Sequence, residues 1–306
     1  MLKLRDGIVE LYRKVATSLP PDVGDSLKAA CVSEKKGSNA RHALEVILEN
    51  IRLARESARP ICQDTGVPVF YVKTPIGLSQ IELEKTIIEA TRIATEKVPL
   101  RPNAVDIITD KNTGDNTGIG FPVIYFRETP DSTLSIDLML KGSGCENVGQ
   151  TYKLPTSLSV ESYSVIGKKK SLTHNAERHN AITVIADRDL DGVRKCVLDA
   201  VHRAQGRGCS PYTIGVGIGA AKDQVTRLAK EQLMRRLTDT NNIEVLFKLE
   251  KRLLKEINTL GIGPIGFGGK TTALGVKIGV NHRHPASYFV DISVCCWANR
   301  RGRLIW

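Results

Sequence analysis

Aromatic residues make up only 5% of the 306-residue sequence, and no apolar run approaches the roughly 20 residues that a membrane-spanning helix needs. Residues 1–7 (MLKLRDG) open no apolar stretch of the signal-peptide kind. No C-x-x-C pair occurs, which argues against structural zinc and against thioredoxin-type redox chemistry. The net charge of +11 invites a nucleic-acid reading, but no base-reading motif accompanies it, and the longest basic run, KKK at 168–170, is three residues. An anionic small-molecule substrate or an acidic partner explains the excess equally well. The seven cysteines (31, 62, 145, 196, 209, 295 and 296) are odd in number and widely spaced. Without an export signal they argue for metal binding or simple burial rather than a disulfide framework. The expectation is a cytoplasmic protein that contacts neither nucleic acid nor membrane.

With 41% hydrophobic and 25% charged residues, the composition is that of a globular chain long enough for one large or two modest domains. We read one catalytic domain over 1–306, helical over about 1–57. The expected helices are 8–17, 22–31 after Pro20-Pro21, and 38–57 with Ser38 as N-cap. Further helices are expected at about 79–97, 190–204, 221–237 and 241–260, the last ending at Gly261 as its C′ residue. Strands are expected at 67–73, 121–126, 134–140, 181–186, 213–218 and 288–296, with one more after the glycine-rich turn 261–269. Residues 156–180 lack apolar period and read as an insertion or mobile loop. Alternating strands and helices give a mixed α/β (α+β) fold with its chemistry at strand ends. The sequence shows no internal repeat.

Cys62, Cys209 and Cys296 share a context, since the first two stand in turns before strands and the third ends one. Such turns can bring thiolates together around an iron–sulfur cluster with one iron left open, a Lewis acid for a hydroxyl. The competing reading is three small buried hydrophobes. In a regular strand Cys295 and Cys296 face opposite ways, so one of them is expected in the core. Cys31 and Cys196 lie on expected helices and read as packing residues. Asp64 beside Cys62 is either a general acid–base group or the acceptor of an Asx-turn. The 261–269 loop could cradle an anion, although it precedes a strand and matches no phosphate-binding fingerprint.

Taken together, "PICQDTGVPVF", "VPLRPNAVD", "NTGDNTG", "KGSGCEN", "CSPYTIGVGIG", "LGIGPIGFGGKTTALGVKI", "HRHPAS" and "CCWANRRG" resemble the α subunit, or N-terminal domain, of the iron–sulfur class I fumarase and L-tartrate dehydratase family. The resemblance runs in order over nearly the whole chain. It implies a hydro-lyase α-subunit fold whose 4Fe–4S cluster is held at strand-end turns by Cys62, Cys209 and Cys296. It further implies that Asp64 and His284 manage protons and that Gln63, Arg101 and Gly144 contact a dicarboxylate, Arg101 with a fork-like grip. The implied reaction is reversible hydration of fumarate, with tartrate dehydration as the alternative. A non-catalytic iron–sulfur role and nucleic-acid binding are more distant alternatives. Ser210 stands where the family usually has proline, Ile265 where glutamine is common, and Cys145 where tartrate dehydratase-like members have cysteine. Fused relatives continue into a second domain beyond the point matching "CCWANRRGRLIW". A β-subunit partner, in a heteromer of two α and two β chains, is therefore expected.

Overall fold

The computed structural model describes residues 1–158 and 184–306. These form a mixed α/β chain that divides into two compact units. The first comprises Met1–Gly24, Val46–Ser143 and Ala298–Trp306; the second comprises Asp25–Glu45 and Gly144–Trp297. The boundary runs through helices α2 (Pro21–Ser33) and α3 (Asn39–Ser57). Ser38 caps α3 as expected, its Oγ accepting from the Arg41 amide at 3.3 Å.

The first unit is built on a four-stranded sheet in the order β10-β3-β1-β2. Its strands are β1 (Val67–Pro75), β2 (Val123–Thr129), β3 (Ser135–Lys141) and β10 (Arg301–Ile305). Helices α1 (Leu2–Thr17) and α4 (Gln80–Lys97) supply the rest of its core. α1 buries Leu4, Ile8, Leu11, Tyr12 and Val15, one stripe at helical spacing. It begins six residues earlier than expected because Leu4 extends that stripe. Each such side chain stabilises the unit by about 1.5–3 kcal/mol. Tyr12 meets Phe70 edge to face, and its hydroxyl is bonded to Thr91 Oγ1 of α4 at 2.8 Å, so its polar end is satisfied where it is buried.

The second unit carries a four-stranded sheet in the order β4-β9-β7-β8. The strands are β4 (Gln150–Lys153), β7 (Tyr212–Gly219), β8 (Ala273–Val280) and β9 (Phe289–Cys295). A two-stranded ribbon, β5 (Thr156–Leu158) with β6 (Val184–Ala186), accompanies it. Apart from Thr156–Leu158, the expected insertion at 156–180 lies outside the described residues, as do 181–183 of the strand expected there. Helices α6 (Leu190–Ala204), α7 (Lys222–Gln232) and α8 (Glu244–Asn258) pack on the sheet. All eight residues of β7 are buried. Ile214, Val216 and Ile218 enter the core, while on the other face a Cβ at Gly215 or Gly217 would come within 2.1 or 2.2 Å of α7 carbonyl oxygens. Those glycines let helix and strand backbones touch.

Three strands of each sheet share one connectivity, while the edge strands differ: β4 precedes β7 in the chain and β10 follows β9. A first strand (β1 or β7) crosses through helix to a parallel neighbour (β2 or β8). The next strand (β3 or β9) returns antiparallel on the other side of the first, and an edge strand (β10 or β4) closes the sheet against it. Among the described residues no helix is long and apolar enough to cross a membrane.

Candidate active site

In the first unit, the turn carrying Cys62 is anchored from behind. The Ile61 amide donates to Ala16 O (2.9 Å), and Asn50 Nδ2 donates to Ile61 O (2.9 Å). Cys62 and Asp64 are half-buried and Gln63 is exposed. Both carboxylate oxygens of Asp64 accept main-chain bonds, Oδ1 from Gly66 N and Oδ2 from Ser143 N, each at 2.9 Å. Asp64 therefore ties the chain before β1 to the chain after β3. Gly66 has φ +85°, and a Cβ there would lie 2.8 Å from the Leu140 carbonyl carbon, so both conformation and room demand glycine.

The 99–103 loop joins the same structure. Thr65 Oγ1 donates to Arg101 O (3.2 Å), and Asn103 Nδ2 donates to Thr65 Oγ1 (3.3 Å) and Gly66 O (3.2 Å). Asn116, 2% exposed, accepts from Asn103 N (2.6 Å) and donates to Arg101 O (3.0 Å) and Thr95 Oγ1 (3.1 Å). Gln63, Asp64 and Arg101 are thus brought together by one hydrogen-bonded set of loops, with the Arg101 guanidinium exposed. The organising roles of Asn103 and Asn116 were missed in the sequence, although both lie in the quoted motifs "VPLRPNAVD" and "NTGDNTG".

In the second unit the corresponding junction carries Cys209. This residue is exposed and has φ +59°, a conformation that costs a non-glycine residue of order 1–3 kcal/mol. Its carbonyl accepts from Trp297 N (3.1 Å), so the chain before β7 is tied to the chain after β9, as at Asp64 in the other sheet. Cys209 and Cys296 therefore flank one end of one sheet. Ser210 holds the turn from behind, its Oγ donating to Gly263 O (2.6 Å) and its carbonyl accepting from Ile265 N (2.8 Å). Most amides of the glycine-rich loop are already bonded within the protein. Those at 263, 265, 266 and 268 are taken up by Thr272, Ser210, Gly263 and Ile262, and those of Lys270 and Thr271 by buried Glu34.

β9 ends at Cys295, which frees Cys296 from strand alternation. Contrary to the expectation of opposite faces, the sulfurs of Cys295, Cys296 and Cys145 all lie within 4.8 Å of one another. Hydrogen-bonding contact with the Cys145 and Cys295 thiols pushes the Cys296 thiol well above its ordinary range, and burial adds to this. The group includes neither Cys62 nor Cys209. Cys31 and Cys196 are buried as expected. Gly144 is exposed, with open space where a Cβ would be, and it lines a cleft of about 410 Å³ with Arg203 and Arg207. Those two arginines, close before Cys209, were also missed. His284 is exposed in the turn between β8 and β9, its Nδ1 accepting from Ala286 N (3.1 Å). The length of β9, about 20 Å, separates that turn from Cys296. The second unit therefore does not bring His284 to the cysteines.

Cys62, Cys209 and Cys296 each stand on a turn at a strand end, the first and last partly buried and Cys209 exposed.

The family model described as fumarate hydratase (fumerase) matches residues 5–304. A Geobacillus stearothermophilus protein provisionally named fumarate hydratase class I is 44% identical over 301 residues, covering 98% of this chain and 54% of the relative. The chain thus spans about half the length of that relative. A Methanocaldococcus jannaschii protein provisionally named L(+)-tartrate dehydratase subunit alpha is 35% identical, covering 98% of this chain and 96% of the relative. The L(+)-tartrate dehydratase subunit alpha of Escherichia coli K12 is 31% identical, covering 99% and 90%. The order of motifs, the cysteine-bearing turns and these matches agree: the chain belongs to the fumarate hydratase family.

Proposed function

We propose that this chain is the cluster-bearing α subunit of a 4Fe–4S hydro-lyase that hydrates fumarate reversibly to malate. The observation that carries the reading is the hydrogen-bonded set of loops that presents Gln63, Asp64 and Arg101 together beside the Cys62 turn. Cys62, Cys209 and Cys296 would hold the cluster, whose open iron supplies Lewis acidity toward a substrate hydroxyl.

The chain's own residues account for the rest. The Arg101 guanidinium offers a planar pair of donors to a substrate carboxylate, and Gln63 orients the same group. As a proton leaves the carbon next to that carboxylate, negative charge spreads onto its oxygens, where Arg101 is placed to stabilise it. Asp64 carries that proton. Its two main-chain bonds fix where the carboxylate points, at no further entropic cost when substrate arrives. Gly144 leaves room on the substrate side, and Arg203 and Arg207 add positive charge to its cleft. His284, far along its own sheet from Cys296, would serve as a proton group from a neighbouring chain.

Tartrate dehydration is the second reading, favoured by Cys145, which stands where tartrate dehydratase-like members carry cysteine. A β subunit is the proposed partner, in a heteromer of two α and two β chains, supported by relatives named as alpha subunits. A cytoplasmic location is supported by the cysteines, none of which forms a disulfide. The test is anaerobic iron–sulfide reconstitution followed by assay with fumarate, malate and tartrate, with and without the partner. Turnover is expected only with the partner, and faster on fumarate and malate. Faster turnover on tartrate would favour the second reading, and full turnover by the chain alone would refute the need for a partner.

A further inference from the structure

The convergence of Cys145 with Cys295 and Cys296 follows from strand register. β4 pairs antiparallel with β9, Gln150 opposite Ile292, so the short helix α5 (Ser143–Glu146) before β4 folds back beside the end of β9. Gly149 makes the approach possible, since a Cβ there would already lie 3.2 Å from Ile292 O. Two of the three thiols are buried and the third is half-buried.

The spacing separates two kinds of ligand. Thiolates that each hold a different iron of a cubane cluster stand on the order of 6 Å apart, because the iron–iron spacing adds to the splay of the two sulfur–iron bonds. Thiolates on one tetrahedral ion, at about 2.3 Å each, stand about 3.8 Å apart. Sulfurs all within 4.8 Å of one another are too close for the first arrangement and a small rotamer adjustment from the second.

We propose that Cys145, Cys295 and Cys296 form a site for a single thiophilic divalent cation of the zinc class, an occupancy that competes with the four-iron cluster for Cys296. On binding, each thiol gives its proton to solvent as its sulfur bonds the ion, and no electron moves. A cleft of about 200 Å³, lined by Cys145 together with Gln150, Thr226, Lys230 and Asp291, gives the ion a path. Three thiolates and a divalent ion leave one net negative charge; Lys230, paired with Glu146, lines the same cleft together with Asp291. One consequence rests on the proposed function: if Cys296 is a cluster ligand, an ion held by this group withholds it and blocks cluster assembly.

The test uses the full chain, purified anaerobically without metal and titrated with cobalt(II) as an optical probe. One equivalent is expected to bind with sulfur-to-cobalt charge-transfer absorption and tetrahedral ligand-field bands, displaced by zinc(II). Cys145→Ser and Cys295→Ser should each weaken binding by more than about 100-fold, the upper range for losing even an outer partner of a metal ligand. Cys62→Ser and Cys209→Ser should leave it unchanged. Unaltered affinity in Cys145→Ser, or loss of the bands in Cys209→Ser, would overturn the site. X-ray absorption of the zinc-loaded wild type needs no variant, and fewer than three sulfur neighbours would overturn it equally. Zinc-loaded protein is also expected to resist iron–sulfide reconstitution. If cobalt binds as described yet reconstitution proceeds, the ion site stands and the cluster role of Cys296 falls.

Discussion

Asp64 forms the turn, and the oxygens that hold it are the ones that would carry a proton in the proposed reaction. Asp64→Asn keeps one acceptor oxygen but sets an amide N–H₂ against a main-chain donor. We expect turnover to fall about 10²–10⁴-fold, the usual contribution of a general acid–base group. A stability loss of about 0.5–1.5 kcal/mol for the lost, partly solvated hydrogen bond should accompany it. Measuring kcat and urea unfolding on the same preparation separates the two, and near-normal kcat with reduced stability would leave Asp64 a turn residue only. Two residues on, Gly66→Ala must place a side chain at φ +85° and 2.8 Å from the β3 backbone. The expected loss exceeds about 2 kcal/mol. An unchanged urea midpoint would contradict the close approach.

At the scale of elements, Asp239 links the chain after α7 to the sheet. It accepts from Lys277 Nζ (2.7 Å) on β8 and from Arg235 (3.0 Å), while Lys277 also reaches Leu237 O and Asp239 O. Partial burial pushes the Asp239 carboxyl up, but the hydrogen bonds from Arg235 and Lys277 outweigh it and hold the carboxyl below its ordinary range. Its contribution is therefore fully present above the unfolded carboxyl value, about 4, and is lost as pH falls through that value toward the folded one. Asp239→Asn should flatten the acid side of the stability profile measured by urea unfolding, and an identical acid limb would refute the link. Helices with a clear cap or stripe were legible in the sequence: 190–204 matches α6 at both ends, and Ser79 caps α4. The helix expected at 221–237 stops at Gln232, and Gly261 lies beyond the Thr259 cap of α8 rather than at C′. Strands β4 and β10 were not anticipated. Both are edge strands that, apart from buried Arg301, alternate between exposed and partly covered positions, so neither "QTYK" nor "RGRLI" carries the apolar run of a buried strand. The meeting of Cys145 with Cys296 was hidden for a related reason, because it depends on the register of that unrecognised edge strand.

Across the whole molecule, the same three-stranded connectivity occurs twice, and each copy ties the chain before its first strand to the chain after its third. In one copy the junction carries Cys62 and Asp64; in the other it carries Cys209 and Cys296. A duplicated junction of this kind would explain how the proposed ligands, so far apart in sequence, come from equivalent places in the fold, which no linear spacing rule reveals. Family membership follows from the match along nearly the full chain, whereas the ligand set rests on these junctions. The central claim is that Cys62, Cys209 and Cys296 hold the cluster while Cys145 and Cys295 do not. The most direct measurement is iron and acid-labile sulfide per chain after anaerobic reconstitution of the wild type and of single serine variants at these five positions. We predict a 4Fe–4S complement in the wild type, Cys145→Ser and Cys295→Ser, and none that survives gel filtration in Cys62→Ser, Cys209→Ser or Cys296→Ser. A stable four-iron cluster in Cys209→Ser would contradict the account.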